Sequence, residues 1–213
     1  MAYGTIILLG PQGSGKGTQA ELLGKTLGIP SVSTGGTFRR EIAAQTDLGT
    51  MISTYVNQGL LVPDDITIGV IESRLAQDDV TNGVILDGYP RNVVQAQALE
   101  KIKPAAQVIF INVSEDEAVT RIHGRIVCQC GLSYHLRFNP PKSDMTCDRC
   151  GQKLYHRRDD DAENALRKRL EIYHQQISQL LDFYRAKGVL YEINGEQDIA
   201  TVHAAIMAVV KPL

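Results

Sequence analysis

Residues 4–27 read GTIILLGPQGSGKGTQAELLGKTL, and the fold turns on how this stretch divides. Gly4–Leu9 is a short apolar, β-branched run closed by Gly10, the pattern of a buried strand. From Lys16 the period changes: Ala20, Leu23 and Leu27 share one helical face, and Gly28 is a stop. Between strand and helix lies Gly10-Pro11-Gln12-Gly13-Ser14-Gly15-Lys16-Gly17-Thr18, which fits G-x-x-x-x-G-K with Gly17 where Ser or Thr is usual and Thr18 directly after. Glycines let successive backbone N–H groups curl around an anion, and the loop opens onto a helix N-terminus that favours negative charge. Lys16 is placed to reach the outer phosphates of a nucleotide.

The rest of the chain extends this unit. Ser31–Ser33, Val84–Leu86, Val108–Val113 and Val189–Ile193 read as strands, with helical stretches at Ile66–Leu75 and Asn92–Leu99 between them. Strands alternating with helices imply right-handed crossovers and a parallel sheet covered on both faces. Leu166, Leu170, Tyr173, Ile177, Leu180 and Tyr184 keep helical spacing up to Gly188, a stripe for core packing. Residues 126–157 break the pattern with cysteines, Pro140-Pro141 and short polar pieces. They are expected to form a β-rich insertion in which Tyr134, Leu136 and Phe138 alternate as in a strand.

The chain has 213 residues, 43% of them hydrophobic and 22% charged, which excludes disordered and fibrous classes. No apolar run approaches the roughly 18 residues of a membrane span, and no basic stretch with a cleavage site opens the sequence, so the expected address is cytoplasmic. The net charge of −2 conceals an asymmetry: residues 121–169 hold 11 Lys+Arg against 6 Asp+Glu, and the remainder 11 against 18. That basic segment suits a polyanion or a solvated face, and it contains all four cysteines.

Asp87 ends the apolar run Val84–Leu86, and a carboxylate at the C-terminal end of a parallel strand faces the ligand crevice. There it is suited to hold Mg²⁺ through water, with Arg91 past the turn able to fork onto a phosphate. Cys128, Cys130, Cys147 and Cys150 form a C-x-C…C-x-x-C set, which in a reducing compartment points to a tetrahedral Zn²⁺ site stapling an insertion too small for its own core.

Gly10–Thr18 with Gln19-Ala20, Ser33-Thr34-Gly35, Asp87-Gly88-Tyr89-Pro90-Arg91, Phe138-Asn139-Pro140-Pro141-Lys142 and Asn194-Gly195-Glu196 occur in the order found in adenylate kinases. The chain resembles the long bacterial form of that family, with a cysteine-containing lid, over essentially its whole length. The resemblance implies an α/β fold of the P-loop nucleoside triphosphate hydrolase type, a parallel five-stranded sheet carrying a small β-rich lid insertion. Its implied parts are a core of residues 1–32, 63–125 and 163–213, a monophosphate-binding part at 33–62 and a zinc lid at 126–162. The implied reaction is ATP + AMP ⇌ two ADP with Mg²⁺, by a monomer that binds neither nucleic acid nor membrane. Gly13, Ser14, Gly15, Lys16, Gly17 and Thr18 match the ATP phosphate loop. Thr34, Arg39, Leu60, Leu61, Val62, Gly88, Tyr89, Pro90, Arg91 and Gln95 match positions around the monophosphate, with Gln95 reading the adenine edge. Arg125, Ser133, Tyr134 and the backbone near Gln197 match positions around ATP. Arg121, Arg158 and Arg169 match arginines that close on the phosphates, and Asp160 and Asp161 the pair that positions them. The catalytic set so implied is Lys16, Asp87, Arg91, Arg125, Arg158 and Arg169.

Two departures stand out. The family usually has Asp after Ser-Thr-Gly, where this chain has Gly36. Related lids usually carry C-x-x-C on both sides, while here the first knuckle is one residue short, which leaves Cys128 or His135 to complete the metal site with Cys130, Cys147 and Cys150. Two other functions compete. One is a kinase for UMP or CMP; the other is a zinc-ribbon nucleic-acid module fused to a P-loop ATPase. Against the second, only Tyr134, Phe138 and Tyr155 supply aromatic stacking surface among the basic residues.

Overall fold

The computed structural model describes residues 2–56, 60, 62–156 and 163–213. Its core is a five-stranded, all-parallel sheet of β1 (Thr5–Leu9), β2 (Ser31–Ser33), β3 (Val84–Asp87), β4 (Ala105–Asn112) and β8 (Leu190–Asn194), in the order β2-β3-β1-β4-β8. Every residue of β1 is buried because a central parallel strand is covered on both faces. The side chains alternate: Ile7 and Leu9 pack with α4 (Asp64–Leu75), α5 (Val93–Ile102) and α7 (Glu163–Ala186), while Ile6 and Leu8 pack with α1 (Lys16–Leu27) and α8 (Ile199–Val209).

Two crossovers decide where a ligand fits. From β1 the chain returns through α1 and passes over β3 to reach β2; from β3 it passes over β1 to reach β4, with α5 on the opposite face. The loops leaving β1 and β3 therefore part at the C-terminal edge of the sheet, the crevice where open α/β sheets bind ligands.

The strand and helix readings agree with this architecture to within a few residues, and Leu170, Ile177, Leu180 and Tyr184 are buried along α7. Four α-helices went unread, the last of them α8. Of these, α2 (Thr34–Ala43) begins with Gly35-Gly36, poor helix formers, and is started by Ser33 Oγ accepting the Gly36 N–H at 3.3 Å; α3 (Asp47–Val56) packs against it. The third, α6 (Glu115–His123), carries a clear signal: a Ser114 cap, Glu115, Asp116 and Glu117 in its first turn, and Arg121 and His123 in its last.

The insertion is a small antiparallel sheet of β5 (Arg125–Val127), β6 (Ser133–His135) and β7 (Tyr155–His156), in the order β6-β5-β7. The expected alternation through Leu136 and Phe138 is corrected. The strand ends at His135, whose Nδ1 accepts the N–H groups of Arg137 and Phe138 at 3.0 and 3.1 Å and folds the chain into a turn. Leu136 and Phe138 are left exposed. No helix among the described residues is long and apolar enough to cross a membrane.

Candidate active site

The loop between β1 and α1 forms an anion cradle. Gly13 and Gly15 both have φ of +88°, a conformation that turns backbone N–H groups inward and that side-chain-bearing residues rarely adopt. A Cβ on Gly13 would stand 2.5 Å from the Ala118 carbonyl oxygen, so the loop is seated on α6; a Cβ on Gly15 would meet nothing within 4 Å. Gly15 also opens α1 without any side-chain cap, leaving the first-turn N–H groups to a ligand. Ser14 Oγ is buried with no partner beside them, an orphaned polar atom that fits a phosphate oxygen.

Lys16 Nζ donates to the Pro11 carbonyl at 2.9 Å across this loop. Burial pulls its pKa down to about 8; Asp87 opposes that shift, and Arg91 and Arg125 add to it. Charged groups from β3, the loop after it and β5 therefore surround one ammonium. Asp87 stands at the end of β3, in register with Leu8 on one side and Ser33 on the other. Its Oδ2 lies 3.5 Å from where a Gly17 Cβ would be, so the missing hydroxyl at position 17 leaves space next to a carboxylate. A half-buried carboxylate beside a phosphate cradle suits Mg²⁺, which keeps waters and takes its other ligands from phosphate.

A second cluster borders the first. Thr34 Oγ1 and Arg91 Nε both donate to the Gly88 carbonyl, at 3.3 and 3.1 Å. Tyr89 and Pro90 are buried and joined by a cis peptide. Gln95, buried at the start of α5, accepts the Arg91 N–H at 2.8 Å and donates to Asp64 at 2.6 Å; Asp64 went unread in the sequence, where only the Pro63-Asp64-Asp65 helix start marked it. Arg39 is exposed with a guanidinium nitrogen 3.2 Å from the Cβ position of Gly35. Leu60 is exposed and Val62 half-buried.

On the insertion side, Arg121 is held by Glu117 at 2.7 Å and lies 5.7 Å from the centre of the Phe138 ring. Arg125 opens β5 opposite His135. Ser133 is exposed, and Gln197 is exposed between β8 and α8. Tyr134 turns away from solvent and accepts the Asp148 N–H at 2.8 Å through a hydroxyl that also lies 3.6 Å from Cys147 Sγ. Leu61, Arg158, Asp160, Asp161 and the side chain of Arg169 lie outside the described residues.

The four cysteine sulfurs lie within 4.8 Å of one another, with Cys128–Cys150 at 3.4 Å and Cys130–Cys147 at 3.6 Å. A tetrahedron with Zn–S arms of about 2.3 Å has edges of about 3.8 Å, so this donor set fits zinc. Burial pushes the Cys147 thiol up, but hydrogen bonds from Tyr134 and from the Cys150 and Arg149 N–H groups outweigh it and bring it down to about 6, towards the thiolate a metal needs. Cys128 belongs to the cluster despite the short first knuckle. His135 does not: its Nδ1 is committed to the turn, and its ring packs on Gly124.

A family model described as adenylate kinase matches residues 8–189. An adenylate kinase of Desulfitobacterium hafniense is 49% identical over 202 residues, covering 92% of this chain and 93% of that protein. Those of Methanothrix thermoacetophila and Bacillus subtilis are each 46% identical, over 209 and 207 residues, covering 96% and 94% of this chain and 97% and 95% of their own lengths. A family match over most of the sheet and relatives this similar from end to end leave one conclusion: the chain belongs to the adenylate kinase family.

Proposed function

We propose that this nucleoside monophosphate kinase catalyses the reversible transfer ATP + AMP ⇌ two ADP at the junction of the two clusters. One arrangement carries the reading: Asp87 at the end of β3 stands beside Gly17 of the phosphate cradle, with Thr34 and Arg91 meeting on the carbonyl of the next residue, Gly88. The cradle N–H groups and Ser14 hold the ATP phosphates, and Lys16 offsets charge on the outer ones. Thr34, Arg39, Gly88 and Arg91 hold the monophosphate, with Gln95 against its base. Arg121 and Arg125, with Arg158 and Arg169, neutralise the charge spread over the transferred group. Phosphoryl transfer of this kind needs alignment and charge compensation more than a protein nucleophile. Mg²⁺, held through Asp87, supplies further charge neutralisation between the phosphates when bound.

Residues 33–62 and 126–162 are the pieces that close over a core of 1–32, 63–125 and 163–213, excluding water that would otherwise hydrolyse ATP. Zinc on Cys128, Cys130, Cys147 and Cys150 is structural, since four thiolates leave no open position. The protein works as a cytoplasmic monomer on ATP, AMP and ADP, without nucleic acid or membrane. A panel of AMP, UMP and CMP as acceptors at fixed ATP, with and without Mg²⁺, tests this. AMP is expected to be preferred in a Mg²⁺-dependent reaction, and preference for UMP or CMP refutes the assignment.

A further inference from the structure

Asp64 is the first residue of α4 and holds two side chains of the neighbouring helix start. Its Oδ1 accepts from Gln95 Nε2 at 2.6 Å, and both of its oxygens lie 3.0 Å from Asn92 Nδ2. Asn92 in turn caps α5 by accepting the Gln95 N–H at 2.9 Å. At the other end of the Gln95 amide, Oε1 accepts the Arg91 N–H at 2.8 Å. Gln95 is 3% exposed, so these partners are not exchanged for water.

The chemistry of the two partners fixes the sense of the amide. A carboxylate only accepts and a backbone N–H only donates. An amide turned over about its last bond would set Oε1 against the Asp64 carboxylate and Nε2 against the Arg91 N–H. Two hydrogen bonds would be replaced by two repulsive contacts in a buried place. One N–H of Nε2 and one lone pair of Oε1 remain uncommitted, a donor beside an acceptor in a fixed sense.

We propose that Asp64 is a specificity-determining positioning residue, which holds the Gln95 amide in the sense that accepts a 6-aminopurine and rejects a 6-oxopurine. The proposal rests on the reading above in which Gln95 faces the base of the monophosphate. The exocyclic N–H of a 6-aminopurine meets Oε1, and the adjacent ring nitrogen accepts from Nε2. A 6-oxopurine has the same outline with the sense reversed: its carbonyl faces Oε1 and its ring N–H faces Nε2. Without Asp64 the amide is held only by the Arg91 N–H and turns over far more easily.

The test compares kcat/KM for AMP and for inosine monophosphate, the 6-oxo counterpart of AMP, at saturating ATP. The proteins are the unaltered chain, Asp64→Ala, Asp64→Asn and Gln95→Ala. The unaltered chain is expected to favour AMP strongly, and Asp64→Ala to lower the AMP-to-inosine-monophosphate ratio by about tenfold, the worth of one orienting hydrogen bond, with KM for ATP unchanged. Asp64→Asn keeps the side-chain shape and one acceptor oxygen, so its ratio falls between; it also serves if the alanine variant fails to fold. Equal losses with both acceptors, the ratio unmoved, assign Asp64 to helix packing alone and overturn the proposal. Gln95→Ala separates the two ideas. If it collapses the ratio while the Asp64 variants do not, the base-facing reading stands and the Asp64 proposal fails. If it leaves the ratio intact, both fall.

Discussion

Adding one methyl group at Gly13 and, separately, at Gly15 separates backbone strain from close approach within a single loop. Both residues have φ of +88°, so alanine at either pays the left-handed penalty of about 1–2 kcal/mol. At Gly15 the new Cβ meets no atom within 4 Å, and nothing further is added in the free protein. At Gly13 it would stand 2.5 Å from the Ala118 carbonyl oxygen and 3.0 Å from the Ala118 Cα. Those are backbone atoms of α6, which cannot swing aside as a flexible side chain does. Overpacking of this kind adds about 1–3 kcal/mol, so Gly13→Ala should cost about 2–5 kcal/mol in all. Melting temperature reads the difference: for a chain of this size the gap between the variants is roughly 2–12 °C, at about 2–4 °C per kcal/mol. Activity should fall in both, since Gly13→Ala pushes the cradle off α6 and Gly15→Ala fills the space meant for phosphate. Stability alone discriminates. If Gly15→Ala melts at or below the temperature of Gly13→Ala, the seating of the loop on α6 is not what holds it.

Metal content per chain should be one zinc in protein purified without chelator, lost in Cys147→Ala and kept in His135→Ala; loss of metal from the histidine variant would put that ring back among the ligands. The pH dependence of kcat/KM for ATP should show a fall as pH rises through about 8, because burial lowers the Lys16 pKa and phosphate prefers the protonated ammonium; Lys16→Arg, which stays charged, should move that limb out of range. The stability effect has the opposite sign. The folded pKa lies below the ordinary value of 10.5, so the unfolded chain binds the extra proton and stability gains from Lys16 as pH rises from about 8 towards 10.5; Lys16→Met should lack that gain in pH-dependent melts. Gly36→Asp should raise the melting temperature, as it places a good first-turn residue where a Cβ has room, 3.4 Å from Ser33 Cβ. It should also shift KM for AMP, because a guanidinium nitrogen of Arg39 lies 4.0 Å away; unchanged AMP kinetics would show that position 36 lies apart from the acceptor site.

What could be read from sequence follows the strength of local signals. The central strand and phosphate loop were legible because a fully apolar run, a glycine pattern and a change of period coincide in 4–27. The helix α2 was not, since Gly35-Gly36 suppress its propensity and its start depends on one cap. The helix α6, by contrast, is announced by Ser114 at its cap and the acidic residues of its first turn. The end of β6 could not be foreseen from the alternation of Tyr134, Leu136 and Phe138. A ring nitrogen of His135 competes for the backbone and turns the chain, an interaction set by side-chain geometry. Spacing alone left Cys128 and His135 both open as the fourth ligand; the structure groups the Cys128 sulfur with the other three and puts the His135 Nδ1 in the turn. Asp64 had no motif to mark it, because its role lies in bonds to residues about thirty positions away.

The charge asymmetry and the sheet register belong to one arrangement. Ser33, Asp87 and Leu8 sit in one row across β2, β3 and β1, and the residues after each of them form the two clusters. Adjacent strands are about 4.8 Å apart, so the loops leaving β2 and β1 start about 10 Å from each other with Asp87 between them. That span leaves room for one phosphate group held from each side, meeting in front of the carboxylate. The sheet itself supplies few cations at this edge: Lys16 from the loop and Arg91 from beyond β3. The remaining positive charge must come from elsewhere in the chain, and residues 121–169 carry half of all Lys and Arg. Arg121 and Arg125 stand at the start of that segment, one in the last turn of α6 and the other opening β5. Packing the cations permanently around an empty cradle would cost repulsion, which the lowered Lys16 pKa already registers from Arg91 and Arg125. On the function proposed above, an insertion with its own small core, Ile126, Cys128, Tyr134, Cys147 and Leu154, would let the cations beyond Arg125 arrive with the nucleotide instead. On that proposal a metal held by the four cysteines would serve transfer indirectly, by keeping the insertion rigid enough to deliver its arginines, and stripping the metal should weaken ATP binding more than AMP binding.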